Sequence, residues 1–175
     1  CKIGFYSNAN ISGAPGNVDR CWFDNFDVKA CASGFVNDYS QSLCWVFNRV
    51  QAHTVDRVFD LEWIANFDLG QVILNSNIEE FLYFRQSSAS IGNFKVSSAK
   101  IDPAVDDSGP FYWVYSHEAQ SRYILDFNNL YQQNCDVKMW LDGEGSVTFR
   151  NCGSLFGSGD ITFDSVSSTS HCNVQ

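Results

Sequence analysis

The sequence predicts an all-β fold: an antiparallel β-sandwich of Greek-key or jelly-roll type, stapled by disulfides, with one or two short helices. Three observations carry the expectation. The 175 residues include 15 Phe, 7 Tyr and 5 Trp, and aromatic and β-branched side chains suit a pleated, half-buried surface. Residues 59–69 alternate between apolar and polar along an unusually long stretch. Seven cysteines are dispersed without metal-ligand spacing. A closed barrel of lipocalin size is the structural alternative, and the missing helix pattern near the C-terminus counts against it.

Length and charge bound the rest. The length fits one domain spanning residues 1–175, since domains run to about 100–200 residues. Twenty acidic and 11 basic residues give a net charge of -9. That balance argues against a nucleic-acid partner, because phosphate contacts need clustered Lys and Arg. No run of about 18 apolar residues is present, so no membrane-spanning helix is expected.

The elements follow in chain order. Residues 2–18 are turn-rich and include the sequon Asn10-Ile11-Ser12, an acceptor only on a eukaryotic secretory route. Strands are expected at 22–28 and 34–39. From Phe59 to Leu69 the odd positions Phe59, Leu61, Trp63, Ala65, Phe67 and Leu69 are apolar. The even positions Asp60, Glu62, Asn66 and Asp68 are polar, with Ile64 the exception. One wet face and one dry face point to an antiparallel strand. Residues 72–74 and 93–101 read as further strands. Ser76-Asn77-Ile78-Glu79 has capping-box spacing and admits a helix ending near Arg85, although Phe81 to Phe84 suits a strand equally. Residues 123–131 fit a helical stripe and a strand alike. Strands are also expected at 111–115 and 161–166.

The cysteines point to an oxidising compartment, hence a secreted or cell-surface protein. The chain starts at Cys1 with no leader pattern and reads as a mature or trimmed form. One bridge is argued from register. A two-residue turn at Gly143-Glu144 makes residues 135–152 a hairpin in which Cys135 faces Cys152. Cys1 with Cys172, near the two termini, is a weaker pairing, while Cys21, Cys31 and Cys44 cluster in the first quarter.

Four constellations are candidates for chemistry. Asp60 and Glu62 would project side by side at roughly 7 Å from two strand steps, within the range of about 6.5–9.5 Å for an inverting glycosidase pair. A plain solvated sheet face explains the same pattern. Asp102, Asp106 and Asp107 lie in an oxygen-rich loop that is a weak calcium candidate. His53, His117 and His171 have no zinc or protease spacing. Phe111, Trp113 and Tyr115 form an aromatic strand, with Trp140 a possible addition; such rings stack on sugars or anchor interfaces. No nucleophile-elbow, dinucleotide or P-loop motif is present, and no cofactor is expected. The expected function is therefore a non-enzymatic recognition module that binds a glycan or a protein receptor. The alternative is a secreted glycoside hydrolase using Asp60 and Glu62.

Overall fold

A computed structural model describes residues 1–8, 10–11, 14–17, 20–38, 40–41, 44–61, 66–85, 91–102, 112–116, 122–133, 137–141, 144–156, 161–166 and 170–174. Most of these residues lie in strands. The N-terminal part holds β1 (Ile3–Asn8), β2 (Asn10–Ile11), β3 (Ala14–Asn17), β4 (Cys21–Phe23), β5 (Phe26–Asp38) and β6 (Ser40–Gln41). The middle holds the long strands β7 (Trp45–Leu61), β8 (Asn66–Phe84) and β9 (Ile91–Asp102), then β10 (Tyr112–Ser116). The remainder holds β11 (Arg122–Asn128), β12 (Leu130–Gln133), β13 (Val137–Leu141), β14 (Glu144–Arg150), β15 (Gly153–Phe156), β16 (Ile161–Val166) and β17 (Ser170–Val174).

The architecture is a parallel β-solenoid, not an antiparallel sandwich and not a closed barrel. Fourteen strands join in one sheet along the path β1-β5-β7-β8-β9-β11-β14-β17, with the others branching from it. Every pairing among the described residues is parallel except the short β2–β3 contact. No helix occurs among them, so the two segments that admitted helices, 76–85 and 123–131, are strands instead. No helix there is long and apolar enough to cross a membrane.

Each coil lays its apolar residues onto those of the coil before. Trp45 is in register with Phe67, Phe67 with Phe94, Phe94 with Leu125, and Leu125 with Val147. A second row runs Phe47, Leu69, Val96, Phe127, Phe149. All ten side chains are buried. Rings in neighbouring coils stack directly: Phe67 on Phe94 at 4.8 Å and Phe127 on Phe149 at 5.4 Å between centroids. Parallel strands about 4.8 Å apart place like side chains face to face, and that pitch matches ring stacking. The aromatic bias is thus a core feature here.

The corners of the coil require a left-handed backbone. Ala30 and Thr54, with φ of 53° and 54°, lie level in β5 and β7. Asn129 and Asn151, with φ of 51° and 53°, lie level further along. Asparagine tolerates this region because its short amide bonds locally. Here Asn129 Nδ2 donates to the Ser97 carbonyl at 3.3 Å, and Asn151 Nδ2 to Asn128 Oδ1 at 3.1 Å. Glycine serves another need: a Cβ on Gly34 would stand 2.9 Å from the Val58 carbonyl.

The expected long strand is divided. Residues 59–61 close β7 and residues 66–69 open β8, with 62–65 outside the described residues. The proposed hairpin does not form either. β13 pairs with β10 and β16, whereas β14 pairs with β11 and β17, all in parallel. Cys152 therefore has no antiparallel partner strand and carries a free thiol, and Cys135 lies outside the described residues. Cys1 is bonded to Cys31, not to Cys172. The link ties Cys1 to the corner beside Ala30.

Candidate functional site

A row of polar and aromatic residues lies on the outer side of β7, β8 and β13, and β10 runs in register between β8 and β13. In β7, Val58, Phe59 and Leu61 are buried. In β8, Phe81, Leu82 and Phe84 are buried. Arg57, Asp60, Glu80 and Tyr83 occupy the intervening positions and meet one another on the other side of the sheet.

Asp60 is the centre of this group, with only 3% of its side chain exposed. Arg85 clasps it with two nitrogens, Nε on Oδ1 and Nη2 on Oδ2, the latter at 2.9 Å. The Ser33 hydroxyl reaches Oδ2 at 3.5 Å, and Arg57 Nη1 lies 3.7 Å from the same oxygen. Arg57 also donates Nε to Glu80 Oε2 at 2.7 Å, and its guanidinium lies 3.8 Å from the centre of the Tyr83 ring. A planar guanidinium suits both a bidentate carboxylate contact and a flat ring. Burial raises the Glu80 carboxyl pKa, while the hydrogen bond and charge of Arg57 oppose the rise. Burial also works against the Arg57 charge, but its bond to Glu80 and the nearby Glu80, Tyr83 and Asp60 outweigh it and raise its pKa.

Two register rows extend the cluster along the solenoid. One runs Arg57, Glu80, Tyr112, Lys138, Thr162. The other runs Asp60, Tyr83, Tyr115, Trp140, Ser165. Trp140 follows the fully buried Met139 and is itself half-buried, as is Lys138, so both stand on the side away from the core.

The structure thus brings three of the sequence-derived candidates, Asp60, Tyr115 and Trp140, into a single row. Trp113 lies in β10 where its register against β13 shifts between Tyr112 and Val114. Phe111 and Glu62 lie outside the described residues. Asp102 ends β9, level with Asn75, and Asp106 and Asp107 lie outside the described residues. Among the described residues no group of three or more His, Cys, Asp or Glu is placed to hold a metal ion. His53 meets the Thr54 hydroxyl at 2.9 Å, His171 is level with Ser146 in β17, and His117 lies outside the described residues.

Sequence reasoning passed over Arg57, Glu80, Tyr83 and Arg85. Their signal is a spacing: Arg57 to Glu80 is 23 residues and Asp60 to Arg85 is 25, each about one coil. Asp126 with Arg150 and Asp24 with Asn48 repeat the pattern at 24 residues. No protein-family model, curated protein or solved structure matches the chain.

Proposed function

We propose that this protein is a secreted or cell-surface recognition module that binds a glycan along the outer side of β8, β10 and β13. The observation that carries the reading is the register row Tyr83, Tyr115, Trp140 beside Arg57, Glu80 and Lys138. Successive coils repeat at about 4.8 Å. Aromatic positions at that pitch favour a linear ligand laid along the solenoid axis. Sugar rings present apolar C–H faces to aromatic planes and hydroxyls to flanking charges. The Cys1–Cys31 bond supports an oxidising compartment.

The same geometry gives Asp60 a scaffolding role. Both its carboxylate oxygens are engaged by arginine, and almost none of its surface is open. A general acid or base needs access to the bond it works on. Recognition therefore accounts for the site better than glycoside hydrolysis by Asp60 and Glu62.

A glycan array probed with the unaltered chain and with Tyr83→Ala and Trp140→Ala tests this reading. Each variant is expected to bind the recognised glycans about tenfold more weakly, an aromatic contact of roughly 1.4 kcal/mol. Circular dichroism checks that both variants fold. Failure to bind any glycan, or equal binding by both variants, would remove the proposal and leave a protein receptor as the reading to pursue.

A further inference from the structure

Cys21 opens β4, and Cys44 immediately precedes β7. Both carry free thiols. The Cys21 amide donates to the Cys44 carbonyl at 3.0 Å, and Cys21 is in register with Trp45, the next residue along. Adjacent strands lie about 4.8 Å apart, and bridged cysteines span roughly 4.4–6.8 Å between Cα atoms. The backbone therefore holds the two residues at bridging separation. Cys21 packs half-buried against the aromatic core, whereas Cys44 is exposed. Cys44 stands just before the ladder begins, so the pleat does not fix the direction of its side chain.

We infer that Cys21 and Cys44 close a second disulfide that staples β4 to β7, one coil beyond the staple made by Cys1 and Cys31. The oxidant is a low-molecular-weight disulfide of the glutathione class. The Cys44 thiol loses its proton and its sulfur attacks one sulfur of that disulfide, breaking the S–S bond and releasing one small thiolate. The Cys21 thiol then loses its proton, and its sulfur attacks the Cys44 sulfur of the mixed disulfide and expels the second thiolate. Two protein thiols are oxidised, one small disulfide is reduced, and the two protons end on the two released thiols. Burial raises the Cys21 thiol pKa, so the second step speeds up as pH rises.

The test uses the whole unaltered chain, equilibrated in a glutathione redox buffer, alkylated, digested with trypsin and chymotrypsin, and read by mass spectrometry. The expected product is a peptide pair joined through Cys21 and Cys44 that separates on reduction. Alkylation of both residues should fall together by about tenfold or more in the buffer that closes Cys1 to Cys31. A Cys21→Ser chain should restore full alkylation of Cys44. The inference is overturned if Cys44 stays fully alkylated while Cys1 and Cys31 are joined. It is equally overturned if either residue is found joined to a different cysteine.

Discussion

Phe47→Ala is expected to lower folding stability by about 3–5 kcal/mol, the usual cost of emptying a buried aromatic site. Phe47 is fully buried in the first of the long coils. Its ring stacks on Phe23 at 4.6 Å and lies edge-on to Phe59 at 5.3 Å, Phe35 at 5.6 Å and Phe26 at 5.7 Å. These neighbours belong to β4, β5 and β7, so no single strand can move in to fill the void. The loss is large against a typical domain stability of roughly 5–15 kcal/mol. Solenoid coils support only their neighbours, so the damage should stay at the N-terminal end. Urea unfolding followed by tryptophan fluorescence measures it. A loss below about 1 kcal/mol would mean that Phe47 is not packed as described.

Asp60→Ala is expected to cost about 2–4 kcal/mol. The carboxylate is nearly sealed and accepts two bonds from Arg85 and one from Ser33. Its removal takes two bonds from the Arg85 guanidinium and the carboxylate charge from between Arg85 and Arg57, and breaking a buried pair from one side is expensive. Both arginines keep more than a third of their side-chain surface in water, which holds the figure below the full buried-pair value. Asp126→Ala supplies the contrast. That carboxylate pairs with Arg150 in the open, with 30% and 45% of the two side chains exposed, and its loss should cost under about 1 kcal/mol. Denaturant midpoints of the two variants, read side by side, check the difference. Equal costs would show that Asp60 is not enclosed by its arginines.

The strands themselves were legible from residue types, but their partners were not. Phe59, Asp60 and Leu61 alternate because one side of each coil faces the core. An antiparallel sheet imposes the same alternation, so period two cannot separate the two folds. What does separate them is recurrence from coil to coil. That recurrence is hidden because the coil length changes, from 22 residues between Trp45 and Phe67 to 31 between Phe94 and Leu125. A fixed period would have exposed it. The segment at 76–85 admits a helix as readily as a strand for a related reason. Glu79 and Glu80 suit a helix start, yet Glu80 is there to meet Arg57 from the coil before.

The candidate site was legible in part for the same reason. Tyr115 and Trp140 stand out as aromatic residues and Asp60 as a carboxylate, but 80 residues separate Asp60 from Trp140. Only parallel stacking puts them in a row with Tyr83. The hairpin that the sequence alone suggests for residues 135–152 would turn Trp140 toward Val147 instead.

That difference makes Trp140 the place to test the parallel register directly. Backbone NMR contacts from isotope-labelled protein report which strands flank it. The solenoid requires that Trp140 neighbour Tyr115 on one side and Ser165 on the other, while Val147 neighbours Leu125. Close contacts between the α-protons of Met139 and Thr148, with the amide protons of Trp140 and Val147 facing each other, would instead establish an antiparallel hairpin, and both the register row and the binding face built on it would fall.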